Sequence, residues 1–267
     1  MRNACGMNDI SLDSAELNGR WRFDWLLPTL FQPRRTFARI AVAETTVWQT
    51  PILILVLSGL IRTLVNGSVK AAANLAAANS GAPPPGFEYY TPEQQAQLQQ
   101  AMAATSGPVF TYLLPAVVTV LGVYLGWLIL GWVIHLGLTL MGGRGSSRQA
   151  LNVVAWTLLP FAIRDVVRIT AMWLTGQPLT TLGLSGFAPA GDGNLTIYLT
   201  ALLSFVDIYL LWHILLLLIG VRAAETIGRA KAWSVVLLVV IASLLIRALP
   251  ALIAAQFSGL TVVRPFF

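Results

Sequence analysis

Five charged side chains stand where the sequence is otherwise apolar: Arg62, Arg164, Asp165, Asp207 and Arg247. At about 1.5 Å per helical residue, Arg62, Arg164 and Arg247 each fall roughly 24 Å from the nearest basic turn. Asp207 falls at about 22 Å on the same count, and Asp165 beside that level, so the five define one polar layer. A charge in hydrocarbon costs about 2.5–3.5 kcal/mol on insertion scales, and such groups usually face a bundle interior and pair. An arginine can instead extend to the interface, which a short carboxylate cannot do. The layer therefore predicts Asp207 paired with Arg164 or Arg247, with Arg62 free to snorkel outward. Chemically, such a layer either ties helices together or lines an ion or proton path.

His135 and His213 mark a second level at about 13 Å. Paired intramembrane histidines suggest a proton relay or a metal pair. No Asp, Glu or Cys lies at that depth to complete a metal set, and a hydrogen bond across a helix interface is the plainer role. The sequence has no G-x-S-x-G elbow, no H-E-x-x-H and no phosphate-cradling glycine loop. Gly142-Gly143-Arg144-Gly145 is glycine-rich but follows no strand, and reads as a tight turn. Catalytic, cofactor-binding and metal-ligating residues are accordingly expected to be absent, and the chain is read as no enzyme.

These layers need membrane helices to carry them, and composition supplies the reason. Charged residues are 10% of the chain and apolar residues 56%, against roughly 25% charged in ordinary soluble domains. Lipid must therefore serve as part of the solvent. The net charge of +6 does not point to nucleic acid, because the cations are scattered through short segments between apolar runs. The single cysteine, Cys5, excludes an intramolecular disulfide. Residues 1–45 lack a continuous apolar run, so the first spanning helix is expected to serve as the insertion signal.

A spanning helix needs about 20 mainly apolar residues. Windows near 47–65, 110–140, 150–173, 196–221 and 233–254 qualify, which predicts an all-α polytopic bundle of about five transmembrane helices. Arg2, Arg20, Arg22, Arg34, Arg35, Arg39, Arg144, Arg148, Arg222, Arg229 and Lys231 fall in segments on one side, and Lys70 and Arg264 on the other. Cytoplasmic loops are enriched in Lys and Arg, so the N-terminus is expected inside and the C-terminus outside. The organisation is then an N-terminal segment 1–46, a membrane domain 47–254 with an outer loop 66–108 between the first two helices, and an outer tail 255–267.

Two non-membrane pieces have local signatures. The stretch Trp21–Ile40 mixes aromatics, leucines and arginines, as an interfacial amphipathic helix does. Trp21, Arg22, Trp25, Arg34, Arg35 and Arg39 are its candidate lipid contacts, and Pro28 and Pro33 should divide it into short helices. In the loop, Ala-rich residues 68–79 should prolong the first helix, and Pro83–Pro85 should turn the chain. Thr91-Pro92-Glu93-Gln94 should open a helix over 92–105 through a capping box, with a bend at Gly107-Pro108. Spacing also hints at an internal repeat: His135 precedes Arg144 by nine residues, as His213 precedes Arg222, and each turn leads to a paired valine, Val153-Val154 or Val235-Val236.

Several short motifs resemble the bacterial Yip-domain membrane proteins, relatives of the Rab-GTPase-interacting Yip proteins. They are Leu30-Phe31-Gln32-Pro33-Arg34-Arg35-Thr36-Phe37, Trp48-Gln49-Thr50-Pro51-Ile52, Gly145 to Leu151, Pro160, Asp207 to Trp212, Leu217 to Val221, and Gly228 to Ala232. The resemblance implies five helices with a cytoplasmic N-terminus and a non-enzymatic role, and places the chain in a bacterial cytoplasmic membrane. None of the motifs is catalytic. The expected function is an integral membrane scaffold or accessory subunit acting through helix packing and partner docking. A transporter or channel component using the Asp/Arg layer is the alternative. Its partners would be membrane lipids and other membrane proteins, in a homo- or hetero-oligomer, with no nucleic acid and no cofactor.

Overall fold

The computed structural model describes residues 20–79, 90–105, 107–179, 181–191 and 193–258, and no strand occurs among them. The helices are α1 (Leu26–Phe31), α2 (Pro33–Val42), α3 (Gln49–Asn79), α4 (Pro92–Thr105), α5 (Leu114–Leu140), α6 (Ser147–Thr157), α7 (Leu159–Thr175), α8 (Asn194–Ser204), α9 (Ile208–Ala224) and α10 (Arg229–Ser258). The chain forms two compact units. One takes its described residues from Met1–Ile54, Gly126–Phe161 and Thr180–Phe267; the other from Leu55–Leu125 and Ala162–Leu179.

Among the described residues, four stretches are long and apolar enough to cross a membrane: Gln49–Ala76, Val109–Leu140, Ser147–Thr175 and Arg229–Gln256. A fifth arises if α8 and α9, bent by 61° to one another, count as one span. The count of about five thus agrees with the apolar windows, and the fourth window is a broken helix.

A break inside an apolar run frees backbone groups that lipid cannot satisfy. Asp207 solves this on one side of the break. It is extended (φ −143°, ψ 175°) and caps α9, its carboxylate accepting from Leu210 N, at 2.9 Å. On the other side, Leu184 N donates to Leu203 O and Val206 O, both at 3.0 Å. Gly183 makes that approach possible. It has φ +56°, and a Cβ there would meet Val206 O at 2.6 Å.

The third span also bends, at Leu158. Pro160 has no N–H to give Trp156 O, and Phe161 N turns back to Leu158 O at 2.9 Å. Pro33 divides the N-terminal segment as well, whereas Pro28, expected to do the same, lies inside α1. Pro33 opens α2, and the chain breaks at Gln32 (φ −129°, ψ 52°).

In the second unit, α3 runs for 31 residues, or about 46 Å, well beyond the roughly 30 Å of a hydrocarbon core. The Ala-rich stretch therefore does continue the helix. The α4 capping box is present, with Thr91 N bonded to Gln94 Oε1 at 3.0 Å and Gln94 N to Thr91 Oγ1 at 3.3 Å. The Pro83–Pro85 turn lies outside the described residues. A bend at Gly107 leads into one π-helical turn, Val109–Leu113, ahead of α5. The α3–α5 seam is built on small residues, the usual basis of close packing in membranes. Thr63 Oγ1 and Thr119 Oγ1 are 3.0 Å apart, and a Cβ on Gly59 would meet Thr119 Cγ2 at 2.7 Å.

Candidate functional site

The densest polar construction in the first unit begins at Ser146. Its hydroxyl accepts from Gln149 N at 3.2 Å, while Ser146 N donates to Gln149 Oε1 at 3.0 Å, a complete capping box. A helix started there carries Arg148, Gln149, Asn152 and Trp156 on one face, at spacings of one, three and four. That face meets residues 41–47, over which α2 ends and the backbone leaves the helix.

Each side chain takes one or two of those backbone groups. Arg148 Nη1 donates to Glu44 O at 2.6 Å and Gln149 Nε2 to Ala41 O at 2.7 Å. Asn152 Nδ2 donates to Thr45 O at 3.1 Å, and its Oδ1 accepts from Val47 N at 3.1 Å. Trp156 Nε1 donates to Val47 O at 3.0 Å. Asn152, Trp156 and Val47 are fully buried, where an unmade hydrogen bond would cost about 1–3 kcal/mol. The clasp therefore fixes how the N-terminal segment enters the first span.

Below the clasp, α2 packs on both α9 and α6. Its apolar positions Phe37, Ile40 and Ala41 are buried, and Arg34, Arg35 and Arg39 point outward. The contact is close: a Cβ on Gly220 would meet Val153 Cγ1 at 2.6 Å and the Phe37 ring at 3.1 Å. Amphipathicity alone suggested that this face would enter lipid; it is covered by protein instead, because α9 offers it a complementary apolar surface. Trp25 departs from the lipid-contact reading in the same way. It is 2% exposed, packs on Trp156 with ring centroids 5.8 Å apart, and carries the Arg22 guanidinium over its ring at 4.5 Å. Trp21 remains exposed, stacked on Phe23.

The glycine-rich turn holds more than a tight bend. Glu225 Oε2, just past α9, accepts from Arg144 N at 3.1 Å and Gly145 N at 3.0 Å. A Cβ on Gly143 would come within 2.9 Å of that carboxylate, and one on Gly145 would collide with it. Lys231 Nζ donates to Met141 O at 3.1 Å. The anion these glycines cradle is the chain's own. These contacts join the 141–146 turn, which carries Arg144, to the 225–231 turn, which carries Arg229 and Lys231.

Gly145 to Leu151 supplies Arg148 and Gln149 of the clasp, residues 30–37 lie in α1 and α2, and residues 207–221 form the α9 surface beneath them. A family model for the Yip1 domain matches residues 28–254. The chain belongs to the Yip1-domain family. A search of curated proteins and one of solved structures each return no match. As a Yip1-domain protein with several membrane-crossing helices it is an integral membrane protein. The segments that carried the resemblance are the ones that pack together in the first unit.

The two polar layers are resolved in part in this Yip1-domain protein. Arg62 does not merely snorkel: its Nε lies 3.0 Å from Asp165 Oδ1, with side chains 33% and 10% exposed. The contact is an ion pair without hydrogen-bond alignment, since neither atom has a hydrogen-bond partner. Arg164 and Arg168 act on the same carboxylate electrostatically. Asp207 is a helix cap at the broken span, and Arg247 Nη2 would lie 3.5 Å from a Cβ on Gly126.

His213 is buried, and its Nδ1 meets Thr157 O at 2.7 Å. That carbonyl is the one whose helical donor, Phe161 N, was diverted at the Pro160 break. A carbonyl only accepts, so Nδ1 carries the proton, and His213 repairs the break from the neighbouring helix. Phe161 covers the imidazole at 5.2 Å. His135 has no such role: its buried Nδ1 has no hydrogen-bond partner, and Trp132 meets its ring edge-on at 6.4 Å.

Sequence reasoning missed Asn152, Trp156 and Glu225. A lone amide inside an apolar helix was the available signal for Asn152, but nothing local names its partner.

Proposed function

We propose that this Yip1-domain protein is a non-enzymatic membrane scaffold or accessory subunit, acting by association with other membrane proteins. The observation that carries the reading is the clasp. The clasp's polar side chains, with Asn152 and Trp156 fully buried among them, are committed to the chain's backbone, which suits a rigid platform rather than a reactive site. The long α3 and the amide-rich α4, whose Gln94, Gln95, Gln97 and Gln100 leave the apolar span behind, supply a polar surface for a protein partner outside the bilayer. Side-chain amides there can donate and accept without the desolvation cost of charges.

We place the N-terminus in the cytoplasm of a bacterial cell, on the cation asymmetry of the sequence. Cross-linking in native membranes, followed by size analysis, tests association. Adducts formed by the full chain should vanish when residues 92–105 are deleted, with helix content otherwise retained. Adducts unchanged by the deletion would remove α4 from the reading.

A second reading is favoured by one observation, the broken span at α8–α9. Discontinuous helices near the bilayer midplane are a recurrent device for binding transported ions, and Asp207 sits at this break. Flux assays on the purified chain in liposomes separate the two. The scaffold reading expects no flux above protein-free vesicles. Flux abolished by Asp207→Ala would replace it with a transporter or channel component.

A further inference from the structure

Between α2, α9 and α10 lies an open cleft of about 560 Å³, whose lining includes Arg34, Arg222 and Arg229. Three helices each contribute one guanidinium, α9 and α10 being consecutive and α2 distant from both in sequence. Among the described residues, no Asp or Glu lines the cleft and none of the three arginines has an ion-pair partner. Glu225, three residues beyond Arg222, is turned to the other turn and held by Arg144 N and Gly145 N. It is not available to neutralise them.

The rest of the wall is apolar: Leu215, Leu218 and Ile219 on α9, and Trp233 on α10. The polarity is graded along α9. Arg222 stands at its end, and Leu215 lies seven residues, or about 10 Å, further into the span. Arg229 opens α10, whose first repeating bond is Ala232 N to Gly228 O at 3.2 Å. The N–H groups ahead of it add the positive end of a 30-residue helix. Trp233, 44% exposed, has the amphipathic character favoured at headgroup depth.

We infer that this cleft binds an anionic phospholipid, its phosphate among Arg34, Arg222 and Arg229 and the start of an acyl chain along Leu215 and Ile219. A free phosphate has no use for the apolar wall, and a neutral lipid has none for three unpaired arginines. Guanidinium forks match phosphate oxygens in pairs. The site goes beyond the scaffold reading and does not depend on it.

The test uses the full chain in a mild neutral detergent at low salt. The probes are short-chain phosphatidylglycerol, phosphatidylcholine of the same chain length, and inorganic phosphate. Lipid binding is read as the concentration-dependent rise in thermal midpoint, and lipid stoichiometry by native mass spectrometry. Phosphatidylglycerol should raise the midpoint and appear as a bound lipid, and the other two should not. Arg222→Gln/Arg229→Gln should weaken phosphatidylglycerol binding at least tenfold. Arg35→Gln/Arg39→Gln, with the same charge loss on the exposed face of α2, should weaken it less than threefold. All four arginines are exposed, so both variants should keep the lipid-free midpoint. Equal loss in the two variants would reduce the effect to net charge and overturn the site. An equal response to phosphatidylcholine would overturn the phosphate contact. An equal response to inorganic phosphate would overturn the lipid assignment.

Discussion

Asn152→Ala is the substitution whose cost the structure specifies best. Val47 is fully buried, and its N–H has the Asn152 carbonyl oxygen as acceptor at 3.1 Å. Removing that acceptor leaves a buried donor unsatisfied, at about 1–3 kcal/mol. Thr45 O also loses its donor, but Thr45 is half-exposed and water can replace it at little cost. Deleting the amide from a site with no exposure leaves a small void worth about 1 kcal/mol more. The total is about 2–4 kcal/mol. Asn152→Asp should cost more, because it keeps the acceptor but turns a carboxylate oxygen toward Thr45 O. Trp156→Phe removes one hydrogen bond, to Val47 O, and should cost about 1 kcal/mol. Since Asn152 and Trp156 hold the two backbone groups of one residue, the double variant should fall short of additivity by about 0.5 kcal/mol or more. Equilibrium unfolding in mixed micelles, followed by circular dichroism, gives the energies, and hydrogen exchange at the Val47 amide gives the local opening. An Asn152→Ala chain within about 0.5 kcal/mol of the parent, with Val47 still protected, would refute the clasp.

Three further outcomes follow from the packing and the ion pair. Gly220→Ala forces a methyl against Val153 and Phe37 and should cost about 1–3 kcal/mol; loss of protection confined to α2 would locate the strain, and an unchanged midpoint would deny the close approach. Arg62→Gln should destabilise the solubilised chain more than Arg39→Gln does, because it strips a partner from the buried Asp165; equal midpoints would mean that Arg62 simply reaches the interface. Glu225→Ala should release the Arg144 and Gly145 N–H groups and speed proteolysis at the 142–146 turn, whereas unchanged cleavage there would show that the turn needs no cradle.

The apolar windows and helix starts were legible because both are local properties. Span length is set by hydrocarbon thickness, and a capping box joins residues three apart, as at Thr91–Gln94. Pairing within the expected polar layer was not legible. Depth counting put Arg62, Arg164, Asp165, Asp207 and Arg247 at one level, yet depth carries no azimuth around a helix. The Arg62–Asp165 contact depends on which faces of α3 and α7 meet.

By itself, then, the sequence determined that this is a helical membrane protein, where its apolar spans lie, and that it resembles the Yip family. Tertiary structure alone decided what covers α2, which anion sits on the glycine turn, and which group repairs the Pro160 break. The physical reason is reach. The hydrogen bond from Val47 to Asn152 joins residues 105 apart and that from His213 to Thr157 joins residues 56 apart. No periodicity or capping rule extends that far, and only the packing of α6 against α2 and α9 brings such partners together.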